Sequence, residues 1–580
     1  MPIDTRDPPG AILYFFVEDS YDPKQFAATT TQREYIALPA FRRINLKEKE
    51  VYRSVAHDHS VIKLDGELIL ESLIVIKSAG SVRSNVTSVD YFDLCLILSL
   101  KIIPETTDNS KLVASVLYNF SMEQSRLEGR QAESSTRWEE ALNLYQEVIL
   151  GDDESLSVQA TIKLSRLSSL APENIIVRTV PILVSLLCRS STTESTSMLT
   201  ACAYCLKCIA CQGDGRLATI IAQTGATKVI LSILPHSEGH LQKILLKCLR
   251  NVIVFGDADQ MIVIGDGGLE VILAMLKSCF NGLRKYLLEI LSTLALSREA
   301  RRVIFSLGCV SFIVESSRQG SMISRTRASQ VIGLLGLVRR ARRMLVDLGA
   351  IQVLTGLLRD GDTSAKLVAS NALGVISSHA NFIRPVAEAG TIPLYADLLQ
   401  GPEPMGKEIA EDVFCILSVE EPIALTISEH LVRILGGNNS EAQAAAADVL
   451  WNLSGYKHSF SVVQRSGAIP LLIELLSSSD SDDVKERVSG VIAQLSYNKS
   501  DRMALANAGV IPLLTNILQD DSAELRDNAA EALVNFSEDP LLRPRIADAV
   551  NIPSFQNMQN RLMQIRASDA RFADLEIDDD

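Results

Sequence analysis

One phrase recurs along this chain and limits what it can fold into: a glycine, one or two small residues, then a leucine-rich stretch. It stands as Gly225-ATKVILSIL, Gly268-LEVILAML, Gly308-CVSFIVES, Gly349-AIQVLTGLL, Gly390-TIPLYADLL, Gly467-AIPLLIELL and Gly509-VIPLLTNIL, at intervals of 43, 40, 41, 41, 77 and 42. The 77 conceals one unit whose glycine is lost, at ALTISEHLVRIL near Glu429. At 580 residues the chain is too long for one compact core, since cores stop growing at roughly 250–300 residues. A period of about 42 belongs to helical repeats, whose single units cannot bury their own apolar faces and so must stack.

Each period has the same internal order. The leucine-rich stretch reads as one helix, with the Pro of AIPLL in its first turn, where a missing N–H is tolerated. A polar loop such as SSSDSDD follows, then a longer helix ending in phrases such as DVLWNLSGY and EALVNFSED. Asp483 with Glu486, and Ser440 with Gln443, have the spacing of capping boxes at its start. A short third helix, introduced by Ser500 or by Asp539 and Pro540, leads to the next glycine, which suits a left-handed turn between helices.

These phrases resemble the armadillo repeat family. SGAIPLLIELLSSSDSDDVKERVSGVIAQLSYNKSDRMALANAGVIPLL and AELRDNAAEALVNFSEDP are similar in particular to the repeats of plant armadillo-only and U-box–armadillo proteins. The resemblance covers about 175–552 and is strongest from 436 to 550; the third helix per unit separates it from two-helix HEAT repeats. It implies an all-α, right-handed superhelical solenoid of roughly nine to eleven units. LCLILSLK with DNSKLVASVLYNFSMEQ, and WEEALNLYQEVIL with SLSVQATIKLSRLSSLAPEN, extend it back to about residue 66 as degenerate repeats over 66–175, with an insertion near 122–137. The repeat array proper is then 176–552. Residues 1–65 show no period, and 553–580 read as a helix followed by an acidic tail, disordered from Ala567.

Composition bounds the function. With 56 basic and 70 acidic side chains the net charge is −14, which disfavours general binding to nucleic acid or anionic membrane. Ten cysteines, mostly in apolar helical runs, read as reduced thiols of the cytosol or nucleus. The acidic, proline-containing opening does not look like a secretory leader. No apolar run approaches the 18 residues of a membrane span.

Candidate chemistry reads weakly. Cys202, Cys205, Cys208 and Cys211 have a tempting metal spacing, but they lie where other repeats place a helix, and three-residue steps spread the sulfurs around it. The GDGG at 265–268 lacks the strand and the Lys-Ser/Thr of a phosphate loop. His57 and His59 have no third ligand in view. The expectation is no enzyme, no metal and no cofactor.

The resemblance implies instead that the long helices line a groove holding an extended partner. The Asn near their ends is similar to the family's groove Asn, which clamps a partner's backbone; matching positions are Asn119, Asn251, Asn452 and Asn535, with Gln494 as a longer analogue. The other reading is a helix-end amide that satisfies loose carbonyls. Four residues earlier stand Ser115, Lys247, Asp448, Gly490 and Glu531 in place of the tryptophans of importin-α, so nuclear-import reception is not expected. Trp451 adjoins Asn452 and is expected on another face. From Phe280 to Leu345 there are 12 basic residues against three acids. Stepping back four, seven or eight residues from the Asn register turns Lys243, Lys247, Lys285, Tyr286, Arg327 and Gln330 inward, similar to the basic groove of β-catenin. The expected function is a protein-interaction scaffold or adaptor holding an acidic or phosphorylated protein segment in this groove, without a small-molecule substrate or membrane. The alternative is a substrate-recruiting subunit of a ubiquitin-ligase assembly. RNA binding through the arginines lacks the interleaved aromatics that stack bases.

Overall fold

The protein is described here by a computed structural model covering residues 131–575, apart from 152, 169–170, 194, 213–214, 257–262, 265–266, 280 and 456–458. Readings made for 1–130, including Asn119, Ser115, His57 and His59, fall outside the described residues. Among those residues all regular structure is helical. The chain divides into two compact units at Cys309/Val310.

In the unit ending at Cys309, four long helices pack one on the next: α1 (Glu154–Leu167), α2 (Thr196–Ala210), α3 (Gly239–Phe255) and α4 (Asn281–Leu294). The connecting helices run outside them as Glu173–Thr193, as Arg216–Gln223 with Ala226–Ile233, and as Gly268–Ser278 with Arg298–Ser306. In the unit beginning at Val310 a row of its own is formed by α5 (Met322–Gly336), α6 (Thr363–Ser377), α7 (Pro404–Leu417), α8 (Ser440–Ser454), α9 (Asp482–Leu495) and α10 (Ala523–Ser537). The helix Pro553–Leu575 packs on α10 and ends the stack.

A long helix in such a row has neighbours before it, after it and behind it. Its apolar residues are therefore not confined to one narrow stripe. On α3, Leu245, Leu246, Cys248, Leu249, Val252 and Ile253 are all fully buried, each full burial contributing roughly 1.5–3 kcal/mol. Small residues let the helices approach. A side chain on Gly333 of α5 would meet the Ala372 Cβ of α6 at 3.1 Å, and one on Gly374 of α6 would meet the Val413 Cγ2 of α7 at 2.8 Å.

Several local expectations shift. The left-handed residue of the second repeat is Gly267 (φ 78°), one before the glycine of the repeated phrase; Gly268 is needed because a Cβ there would lie 2.7 Å from the Val263 carbonyl oxygen. The capping boxes are replaced by earlier single caps: Asn439 accepts from the Ala442 N–H at 3.2 Å, and Ser481 from the Val484 N–H at 3.4 Å. Gln443 instead donates to the Leu435 and Gly437 carbonyls of the preceding helix end. Where the glycine is lost, the two outer helices fuse into the single helix Glu421–Leu435. The expected insertion near 122–137 and the expected disorder from Ala567 both give way, where described, to helix: Gln131–Ile149 and Pro553–Leu575. One helix, Glu173–Ser191, is long and apolar enough to cross a membrane by length and composition, contrary to the reading that no run approaches that length. Half of it is buried in the protein, with Val180, Leu183 and Leu187 in the core.

Candidate functional site

Helical spacing brings Lys243, Lys247 and Asn251 onto one side of α3, and Lys285 and Tyr286 onto the start of α4. The two lysines and the Lys285–Tyr286 pair are half-buried. The Tyr286 ring draws two ammonium groups together: the Lys247 Nζ lies 5.7 Å and the Lys285 Nζ 5.2 Å from its centroid. On α2, the Lys207 Nζ lies 4.6 Å from the Tyr204 ring. An aromatic face attracts a cation, so these contacts restrain the ammonium groups of the row. Beneath it Arg250, not singled out from the sequence, joins α3 to α4. It bonds Glu289 at 2.6 Å, donates to the Asn251 Oδ1 at 2.9 Å and lies over the Phe255 ring.

The amides differ from the groove expectation. Asn251 is 4% and Asn535 0% exposed. Asn251 donates to the Lys207 carbonyl at 3.1 Å and to the Cys211 sulfur at 2.9 Å; Asn535 donates to the Ser496 hydroxyl at 2.8 Å. Each target sits in the last turn of the preceding long helix or just after it, where carbonyls lack intrahelical partners. Asn452 repeats the pattern by hydrogen bonding to Cys415 of α7. The amides act as staples between repeats, and a buried, bonded amide is not available to clamp a partner. Asn452 is exposed and Gln494 half-buried.

In the second unit, Arg327 bonds Gln330 on its own helix at 3.4 Å, and both are half-buried. Trp451 lies on another face than Asn452, as expected: Asn452 bonds Cys415 of α7, whereas the Trp451 ring packs against α9. Its ring carbons lie 2.8–3.1 Å from where a Cβ on Gly490 would stand, so the missing side chain on α9 is the slot for the indole. Around it the charge is acidic. Burial, with Asp448 and Asp412 nearby, raises the Glu411 carboxyl to about 8 against the opposing pull of Arg487. Arg487 bridges Asp448 at 2.9 Å and Asp483 at 3.4 Å. An acidic segment has no electrostatic reason to lie here.

The basic run also separates by role. Arg301 donates to the Ala295 and Leu296 carbonyls at 2.8 and 2.7 Å, and Arg342 to the Gly336 carbonyl at 2.6 Å, each capping the end of the preceding long helix. Arg543 does the same for Ser537 at 2.8 Å. All three reach six residues back, a recurrent spacing that the sequence already contains. Arg318 pairs with Glu315, and Arg325 bonds the Ser317 carbonyl. Arg339, Arg340 and Arg343 are exposed.

Cys202 and Cys205 are fully buried in α2, Cys208 is half-buried and Cys211 exposed. Burial pushes the Cys202 thiol up to about 12 and Cys205 well above its ordinary value, which suits packing by neutral thiols. Among the described residues no group of three or more His, Cys, Asp or Glu side chains could hold a metal.

Within each unit, long helices packed one on the next, three of them (α3, α8 and α10) bonded to the preceding one through an amide and most flanked by shorter helices, define an all-α solenoid of stacked helical repeats. One stretch of this array, residues 498–538, matches the Armadillo/beta-catenin-like repeat family. The chain is 30% identical over 98 residues to U-box domain-containing protein 12 of Arabidopsis thaliana, a stretch that is 17% of this chain and 15% of that protein. It is 27% identical over 105 residues to Armadillo repeat-containing protein gudu of Drosophila melanogaster, 18% of this chain and 16% of that one. The chain thus spans about a sixth of the length of each relative. The crystal structure of an engineered protein shares the fold, with a TM-score of 0.56 and 23% identity over 68% of this chain and 98% of that one.

Proposed function

We propose that the protein is a non-enzymatic scaffold or adaptor of the cytosol or nucleus that holds an extended acidic or phosphorylated segment of a protein partner against α2, α3 and α4. The observation that carries this reading is the convergence of Lys247 and Lys285 on the Tyr286 ring. Two cations held from adjacent helices form a fixed pair of donors, and charge-assisted bonds to carboxylate or phosphate oxygens are about twice as strong as neutral ones. Lys243, one turn before Lys247, and Lys207 lengthen the row along an extended chain, which advances about 3.3–3.6 Å per residue.

The test is fluorescence anisotropy with a labelled oligoglutamate peptide. The double variant Lys247→Glu, Lys285→Glu should bind it more than about tenfold more weakly, with unchanged helicity and melting temperature, and binding by the unaltered chain should fall steeply with salt. Unchanged or salt-indifferent affinity would overturn the reading.

A second reading is favoured by the similarity to U-box domain-containing protein 12: recruitment of a ubiquitin-ligase substrate. Affinity capture with the full chain from cell extract, with a ubiquitin-conjugating or ligase subunit retained in stoichiometric yield, would support it. Capture without either would count against it.

A further inference from the structure

The short helix Arg339–Asp347 follows α5 and packs on α5 and on the helices Val310–Arg318 and Ala350–Asp360. It therefore lies outside the row of long helices. Its sequence, RRARRMLVD, places four arginines in its first five positions. The fold uses one of them: Arg342 is buried and bonds the Gly336 carbonyl. Arg339, Arg340 and Arg343 are exposed and make no hydrogen bond or ion pair among the described residues, although Asp347 stands one turn beyond Arg343. Nothing in helix physics favours them, because cations are unfavourable at the positive end of the helix dipole. The surplus extends into the next repeat. His379, whose Nδ1 caps the following short helix at the Asn381 N–H, faces Arg339 and Arg342 closely enough that their field, after burial, holds its imidazole below the ordinary range.

We propose that Arg339, Arg340 and Arg343 form a second docking surface, separate from the long-helix row, for a short acidic segment of a protein partner. Guanidinium forks suit carboxylate or phosphate pairs in two-pronged contacts. The chain's net charge of −14 repels an extended polyanion such as nucleic acid or an anionic membrane. A short segment feels only the local patch, since charges beyond about 8 Å are screened at physiological salt.

The probe is a fluorescein-labelled oligoglutamate peptide carrying a photo-crosslinker, used with the full chain. Neutralising the patch with Arg339→Gln, Arg340→Gln and Arg343→Gln, while keeping Arg342, should lower affinity at least about tenfold in the Lys247→Glu, Lys285→Glu background. It should leave the melting temperature unchanged, and crosslinks in the Lys247→Glu, Lys285→Glu chain that retains the arginines should fall within 339–347. This holds whether or not the lysine pair binds, so the two sites stand or fall separately. Unchanged affinity in the triple variant, crosslinks confined elsewhere, or tighter binding to RNA or to phosphatidylserine vesicles than to the peptide would overturn the proposal.

Discussion

Asp501 lies in the first turn of the short helix Lys499–Asn507, within the segment that matches the armadillo family. It is fully buried, and neither carboxylate oxygen has a hydrogen-bond partner among the described residues. Burial raises its pKa from 3.8 to about 6. The folded protein therefore holds the proton more tightly than the unfolded chain, so stability contributed by this group is complete below about pH 4 and is lost as pH rises to about 6. At about 1.4 kcal/mol per pKa unit the loss has a ceiling of about 3 kcal/mol. The positive end of the helix and partial screening argue for about 1–3 kcal/mol. Asp501→Asn removes the charge at nearly constant shape. Its stability advantage over the unaltered protein should be small near pH 4, grow through pH 4–6 and level off above. Urea denaturation of both proteins at matched pH measures the difference, and other titrating groups cancel in it. Stability in a solenoid is distributed over its repeats, so hydrogen exchange at the backbone amides of 482–517 gives the local value. An advantage independent of pH, or one that shrinks as pH rises, would refute the reasoning.

Two further variants test the packing. Gly490→Ala should destabilise by about 1–3 kcal/mol and shift the Trp451 fluorescence, because the new Cβ would stand 2.8 Å from the indole; adding Trp451→Leu should recover much of the loss, and a silent Gly490→Ala would deny the slot. Arg342→Met should cost about 1–3 kcal/mol through the lost cap on the Gly336 carbonyl, whereas Arg343→Met should be neutral within about 0.5 kcal/mol. Equal effects in urea denaturation would erase the distinction between the arginine that builds the fold and those that do not.

The repeat was legible because its causes are local. A left-handed glycine such as Gly467 or Gly509, a leucine-rich helix and a long helix ending in an amide follow from backbone sterics and helical periodicity, and their recurrence alone implies stacking. Helical spacing also placed Lys247 and Lys285 on one face, where the structure gathers both on Tyr286. What only tertiary structure decided is which polar groups the stack itself consumes. Asn251 and Asn535 have the sequence of a groove residue, but neighbouring helix ends with unpaired carbonyls and hydroxyls lie closer than any partner and take their donors. Arg301 and Arg342 counted toward a basic surface, yet the ends of α4 and α5 claim them. Trp451 fills a hole that a glycine one repeat later leaves open. A helix period states which way a side chain points, whereas its availability depends on contacts some forty residues away, set only when one repeat meets the next.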